Sequence, residues 1–302
     1  ETGSDVFAMD VGNESTTIPA IDSGFPVDMA LWRSPASQSD WKLGSRLTGN
    51  GQLYPNKADA MASANAAEIT FDSNEGFLSA GWASSSLQGW MWKRHAGMDV
   101  VTYDGNGTAG HQIPHSLSKA PEMTWIKRRT TGTADWVVGH KGLNGGTNPW
   151  HYGMSLNDFG AEEDLETYFN DTAPTATHFT VGSHNWVNNG SSRTYIAMLF
   201  ASVDGISKVG NFTPDSSGSF TVTTGFTPRF IMMKPRNFSD NSWGWWVYDS
   251  QRGLSSGSTH RLALQSDSAQ VSGSTNGTTS TGINFTGWGD MSSYNWIYYA
   301  HA

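Results

Sequence analysis

The chain has 302 residues, room for two or three ordinary domains, and carries a net charge of −9 with only 15 % charged side chains. That balance excludes a phosphate-backbone binder, which needs clustered Lys and Arg, so no nucleic-acid partner is expected. The absence of cysteine excludes disulfide scaffolds, thiolate metal sites and cysteine nucleophiles, and no apolar run approaches the roughly 18–20 residues of a membrane-inserted helix.

Polarity comes from Ser, Thr, Asn and 34 Gly, with 14 Trp, 14 Phe and 9 Tyr as apolar material. This mixture suits short strands joined by turns. In chain order, strands are expected at 29–33, 40–44, 52–54, 68–71 and 89–95, then at 123–127, 135–140, 151–156, 178–181 and 194–202. A third set follows at 219–224, 229–234, 245–249, 261–265, 283–286 and 295–301, broken by turns such as Gly225-Phe226-Thr227-Pro228. Helix signals are weak; Ala58 to Ala67 reads as a strand-joining loop, with a short helix as the alternative.

Three markers recur in fixed order. WMWKRHA (Trp90 to Ala96), YIAMLFA (Tyr195 to Ala201) and WIYYAHA (Trp296 to Ala302) return after 105 and 101 residues. VDMALWR (Val27 to Arg33), PEMTWIK (Pro121 to Lys127) and PRFIMMK (Pro228 to Lys234) each end an apolar run on a basic residue. Trp41, Trp136 and Trp246 come next, followed by Arg46, Lys141 and Arg252. A period near 100 is too long for the common solenoids and suits a small domain. The expected fold is therefore all-β: three tandem related β-sandwich, jelly-roll-like units at 1–102, 103–208 and 209–302, packed closely together because no linker separates them. The first residues lack an initiator Met and a signal-peptide pattern, so the sequence reads as a fragment or processed chain.

Motifs for chemistry are sparse. Glu162, Glu163, Asp164 and Glu166 read as a solvated acidic loop, with catalysis or calcium binding as the alternatives. Asp72-x-Asn74-x-Gly76 lacks the full ligand series of a calcium loop. His111 and His115 flank Pro114 and would not share a helical face as zinc-binding pairs do. No catalytic residue, metal site or cofactor is expected, and the chain is not read as an enzyme. The Asn-x-Ser/Thr sequons, at Asn13, Asn106, Asn170, Asn189, Asn211, Asn237, Asn276 and Asn284, arise readily in so Asn-, Ser- and Thr-rich a chain.

The aromatics carry the functional expectation. Trp41, Trp136 and Trp246 recur and read as core. Trp150, Trp186, Trp243 and Trp288 do not recur and stand among Asn, Gly and Ser. Trp150, Trp186 and Trp243 are the candidate ligand-binding residues, platforms on which a sugar ring could stack, or rings packed against a neighbouring unit or subunit.

The stretches GNGTAGHQIPHSLSKAPEMTWIKRR, YFNDTAPTATHFTVG, RTYIAMLFASVDGISKVGNF, GFTPRFIMMKPR, WWVYDSQRG and WIYYAHA resemble a repeat domain of marine bacteriophage tail-fibre-like and other virion-associated proteins. The resemblance runs from about Gly24 onward and is weakest over 41–89. It implies a lectin- or laminin-G-like jelly roll on a virion surface, outside the cell. The expected role is adhesion to a host cell-surface glycan, with copies of the chain (a homotrimer) and other virion proteins as partners. The alternatives are a purely structural virion component, such as a capsid decoration or fibre shaft, and a polysaccharide depolymerase.

Overall fold

The computed structural model describes residues 1–14, 17–63, 69–77, 84–190, 192–239, 243–255, 258–274, 277–286 and 292–302. It is an all-β structure of antiparallel sheets. The first eight strands are β1 (Phe7–Val11), β2 (Ile21–Asp22), β3 (Met29–Arg33), β4 (Lys42–Ser45), β5 (Gly51–Gln52), β6 (Ala62–Ser63), β7 (Gly76–Phe77) and β8 (Gln88–Trp92). Next come β9 (Met98–Asp104), β10 (His111–Pro114), β11 (Met123–Arg128), β12 (Val137–His140), β13 (Tyr152–Ser155), β14 (Glu163–Asp164), β15 (His178–Val181) and β16 (Thr194–Phe200). The last are β17 (Ser207–Phe212), β18 (Phe220–Thr223), β19 (Phe230–Pro235), β20 (Trp246–Asp249), β21 (Ser258–Ala263), β22 (Val271–Ser274), β23 (Thr278–Thr279), β24 (Gly282–Phe285) and β25 (Trp296–His301).

Three larger sheets are ordered β1-β8-β3-β4, β14-β13-β12-β11-β16-β9 and β17-β25-β19-β20-β21-β22. One connection recurs in all three: the opening strand pairs with the closing one, which pairs with the strand carrying the basic residue. Each larger sheet is accompanied by a smaller one, β2-β7, β10-β15 or β18-β24-β23. The second and third larger sheets open at Met98 and Ser207, a few residues ahead of the expected starts at 103 and 209, because the chain turns straight from one closing strand into the next opening strand.

The central strands are buried on both faces, which explains their unbroken apolar runs. Side chains alternate across a strand. In β16, Tyr195, Ala197 and Leu199 enter a core local to the second sandwich, while Ile196, Met198 and Phe200 enter another. That second core is common to the whole chain. Met29 and Leu31 of β3, Met123 and Trp125 of β11, and Phe230 and Met232 of β19 all point into it. Each larger sheet thus closes a sandwich on one side and meets the other two larger sheets on its opposite side.

Three seams join these sheets, and each uses an indole and a cation in the same way. Trp41 donates its indole N–H to the Ala263 carbonyl at 2.8 Å, Trp136 to Tyr54 at 2.9 Å, and Trp245 to Ser155 at 3.0 Å. The sense is cyclic, first sheet to third, second to first, third to second, so the ring closes within one chain. Arg33, Lys127 and Lys234 follow the same cycle, donating to the carbonyls of Ser266 (3.2 Å), Lys57 (3.5 Å) and Asp158 (2.8 Å). Each cation also lies over the indole of its own sheet, at 5.3, 5.7 and 5.9 Å from the ring centroid. A buried cation is costly unless paired and hydrogen-bonded. The neighbouring sheet supplies some of the acceptors, and the cation's own sheet supplies others, Ala134 for Lys127 and Ser34 and Ser37 for Arg33. Burial still pushes both lysines down to about 8.

Two sequence expectations shift register. The seam tryptophan of the third sheet is Trp245, not Trp246: its backbone N–H is held by Gln265 Oε1, as those of Trp41 and Trp136 are held by Asn56 and Asn157. Adjacent tryptophans made the two frames indistinguishable by spacing. In the closing strands, Trp92, Phe200 and His301 occupy one position, opposite Met29, Met123 and Phe230. WMWKRHA therefore sits three residues out of frame, and Lys93-Arg94-His95 lie beyond β8 in the turn to β9. Of the strand expected at 68–71, residue 68 lies outside the described residues and 69–71 form no strand; the strand of this stretch is Gly76–Phe77. The run 58–67 holds β6, and part of it, 64–67, lies outside the described residues, as do Asn276 and Trp288.

Candidate functional site

The three candidate tryptophans fare differently. Trp150 follows Pro149 in a short 3-10 turn that directs its ring inward. It meets Phe169 edge-on at 5.3 Å and lies above Gly139, where an added Cβ would come within 2.4 Å of the indole. Only 6 % of Trp150 is exposed. The expectation that it offers a surface platform is corrected: a ring of this size gains more by filling the space over Gly139 than by facing water. Trp243 is half-buried on the third sandwich, edge-on to Trp296 at 6.1 Å, and is not among the residues lining the cleft described next.

Trp186 is half-buried at the surface of the second sandwich, in the loop between β15 and β16. Its ring stacks on Tyr168 at 6.2 Å and 22°, and His184 stands edge-on to both, at 4.7 Å from Trp186 and 4.9 Å from Tyr168. Tyr168 is delivered by the one-turn helix α1 (Glu166–Phe169), which ends on Asn170 in a left-handed conformation. Asn188 anchors the loop from beneath. Its fully buried amide accepts from the backbone N–H groups of Asn106 and Gly107 and donates to Asn106 Oδ1 and to the Thr108 and Gly182 carbonyls. The hydroxyls of Tyr103 and Tyr195 hold the Val187 and Asn185 carbonyls at 2.7 and 2.9 Å. A loop so pinned presents its indole without an ordering cost at the moment of binding.

Between this aromatic pair and the β13–β14 hairpin lies a cleft of about 100 Å³, whose lining includes Ser155, Asp158, Glu163, Tyr168 and Trp186. Gly153 makes it possible, since a Cβ there would come within 2.5 Å of Tyr168. Burial, then the nearby carboxylate of Glu163, pushes the Tyr168 phenol well above its ordinary value, and burial lowers His184. The His184 Nδ1 accepts the Trp186 backbone N–H at 3.2 Å, which needs that nitrogen unprotonated. The volume is well below the roughly 300–1,000 Å³ of an enclosing ligand pocket. It suits one flat ring resting on the indole, with carboxylates accepting from its hydroxyls.

The sequence singled out Trp186 but not its companions. Glu163 belonged to a cluster read as solvated, and the structure divides that cluster. Glu162 pairs with Arg236 of the third sheet and accepts the Asn144 N–H, while Glu163 lines the cleft. Among the described residues, no group of three or more His, Cys, Asp or Glu side chains is placed to hold a metal ion, and no helix is long and apolar enough to cross a membrane.

Residues 91–302 match the family described as a domain of unknown function (DUF7483). The chain belongs to that family. Its match begins in β8 and spans the whole of the second and third sandwiches, so the Trp186 cleft lies inside the DUF7483 region and most of the first sheet lies ahead of it. No curated protein and no solved structure matches the chain.

Proposed function

We propose that this DUF7483 protein is a glycan-binding adhesion module of a tail-fibre-like or other exposed phage appendage, with the Trp186 cleft as a contact for host cell-surface sugar. The observation that carries the reading is a half-exposed indole, stacked on Tyr168 and braced by His184, beside two carboxylates on a rigid sandwich. Aromatic faces receive the apolar face of a sugar ring while polar groups fix its hydroxyls. We infer further that the three sandwiches are tandem repeats of one unit, since their seams use equivalent residues. A homotrimer of the chain would have to use surfaces outside those seams, and would add avidity without new contacts.

The test is a glycan array with the isolated chain, followed by Trp186→Ala. The variant is expected to bind about 2- to 10-fold more weakly, the 0.5–1.5 kcal/mol scale of a single aromatic contact, while its melt falls by no more than a few degrees. The closed ring of seams favours a second reading, a structural virion component without ligand. A parent chain that binds neither sugars nor host cells would replace the first reading with the second.

A further inference from the structure

Two hairpins hold equivalent places, β13–β14 in the second sheet and β21–β22 in the third. Gly153 pairs with Glu163 as Arg261 pairs with Val271. The carbonyls of Ser155 and Asp158 receive the neighbour's tryptophan and cation, as those of Ala263 and Ser266 do. Each hairpin borders a cavity, of about 100 Å³ in the second sheet and about 230 Å³ in the third. Their linings differ. Among the described residues, the third cavity has Ser266 and Val271 where the second has Asp158 and Glu163, and no carboxylate lines it. The hairpin therefore folds without acids at this place, and the fold alone does not account for the two in the second cleft.

Neither acid is fully neutralised. Glu163 is exposed, and no ion pair or hydrogen bond among the described residues engages its carboxylate. Asp158 Oδ1 accepts the Gly160 N–H at 2.7 Å and stands 4.0 Å from Lys234 Nζ, but that amine is fully buried and bonds the Asp158 main-chain carbonyl. Oδ2 has no partner among the described residues. Tyr168 adds a third oxygen. Only 5 % of this residue is exposed, yet its hydroxyl makes no hydrogen bond to a described residue and is not sealed from the cleft that the ring lines. Native structures rarely leave so buried a hydroxyl unused. Burial and, after it, the charges of Glu163, Asp135 and Asp158 keep the phenol protonated, which places the hydroxyl beside these acids. The aromatic wall brings no compensating charge, because burial lowers His184 and its Nδ1 is occupied by the Trp186 backbone N–H. No Lys, Arg or His lines the cleft among the described residues.

We propose that the Trp186 cleft takes an amino sugar whose nitrogen is unsubstituted and protonated, so that the glycan it selects is a cationic hexosamine polymer. The inference rests on the glycan-binding reading and narrows it to a substrate class. The apolar face of the ring would rest on the Trp186 indole, with the ammonium between Glu163, Asp158 and the Tyr168 hydroxyl. An ammonium carries three donors and no acceptor, which matches a set of carboxylate and phenol oxygens. It is also drawn to the faces of indole and phenol rings. An N-acetyl group has no charge to offer and adds bulk that a cleft of about 100 Å³ has little room for. The net charge of −9 favours the approach of such a polymer from a distance.

Titration calorimetry of the full chain tests it with three trimers of one linkage, triglucosamine, tri-N-acetylglucosamine and cellotriose, at a pH where the free amines are protonated. Triglucosamine is expected to bind about 10-fold more tightly than either neutral trimer, and more weakly as salt rises. Glu163→Gln should lower its affinity about 3- to 5-fold, the upper range for a partly exposed ion pair. Adding Asp158→Asn should bring it level with the neutral trimers. The fold tolerates that change, because an asparagine Oδ1 still accepts the Gly160 N–H and Lys234 uses the main-chain carbonyl. Asp204→Asn, at an exposed acid in the turn between β16 and β17, should leave the affinity unchanged and so excludes attraction by net charge alone. Equal binding of the three trimers, a preference that survives the double substitution, or an equal loss in Asp204→Asn would each overturn the inference. Where the parent shows no preference for the amine and Trp186→Ala weakens all three trimers alike, the amino-sugar assignment falls and the glycan-binding reading stands. A parent chain that binds no trimer also overturns the assignment, and the glycan array then decides the wider reading.

Discussion

The seams and the two hairpin clefts sit on the same strands, yet they have diverged to different degrees. At each seam an indole and a cation meet carbonyls of the next sheet, and the side chains change only where a partner changes with them. The Trp41 and Trp136 backbone N–H groups are held by Asn56 and Asn157, which are oriented by Asp40 and Asp135. In the third sheet Gly244 replaces the aspartate and the longer Gln265 replaces the asparagine; a Cβ on Gly244 would come within 2.1 Å of that amide. On the outer side of the same hairpins, Glu163 is matched by Val271 and Gly153 by Arg261. Packing constrains the seam because each residue there touches a neighbour with no slack, whereas the outer face needs only to keep the backbone pairing, which leaves its charge open to change.

The largest expected effects come from breaking a seam. Trp136→Ala should cost about 3–5 kcal/mol, the range for a truncated core aromatic, and strand the Tyr54 carbonyl as well. Urea unfolding would read the loss, and a midpoint equal to the parent's would show that the seam contributes nothing. Asp249→Ala should be of similar size. Its fully buried carboxylate receives Trp90 at 2.9 Å and Gln88 at 3.2 Å across the join of the first and third sheets, and Arg252 at 2.8 Å from its own segment, and removing one partner of a buried pair costs about 3–5 kcal/mol. Trp150→Ala should match these, while Trp186→Ala should cost about 1 kcal/mol or less. Comparable losses for the two would erase the distinction between core ring and surface platform.

A pH profile sharpens the same contrast. Burial drives His140 down to about 4 and His301 to about 3. Between these values and the ordinary 6.5, the unfolded chain binds protons that the folded one refuses. Stability is therefore full above pH 6.5 and falls as pH drops toward 4, at about 1.4 kcal/mol per pH unit for each group. His301→Phe should shallow that acid limb, because Trp92 and Phe200 already fill the equivalent positions. The buried Lys127 and Lys234 lose their protons near 8 in the folded chain and near 10.5 in the unfolded one, so stability should rise from pH 8 to about 10. Above that, the buried tyrosines, whose values burial raises, reverse the trend. Thermal melts from pH 4 to 10 check both limbs. The smallest expected effect is Lys127→Arg, the substitution the first sheet already carries as Arg33, which should change the stability read from urea unfolding by no more than about 0.5 kcal/mol.

In the second and third sheets the strands β11, β12, β13, β16, β19, β20, β21 and β25 were legible in the sequence to within a few residues, because apolar runs bounded by Gly and Pro report burial directly, whereas the edge strands β9, β14, β17 and β22, more polar and less buried, were not. The markers ending in Arg33, Lys127 and Lys234 also fell in one register. Frame was less legible. Nothing local separates Trp245 from Trp246, and only the hydrogen bond from Gln265, 20 residues away, selects the first. The same holds for Trp150 and Trp186. Both stand in polar loops with similar neighbours, and their fates part because Gly139 opens space beneath one ring while Asn188 anchors the loop of the other.

By itself, then, the sequence determined an all-β chain with a repeating order of strands, since alternation, turns and unbroken apolar runs are local consequences of burial. Only the tertiary structure decided that the three larger sheets close into a ring. It also decided which carbonyls accept the buried cations, and that two equivalent hairpins carry differently lined clefts. Those outcomes depend on groups 70 to more than 200 residues apart meeting at hydrogen-bond distance, and no pattern within a single strand encodes such a meeting.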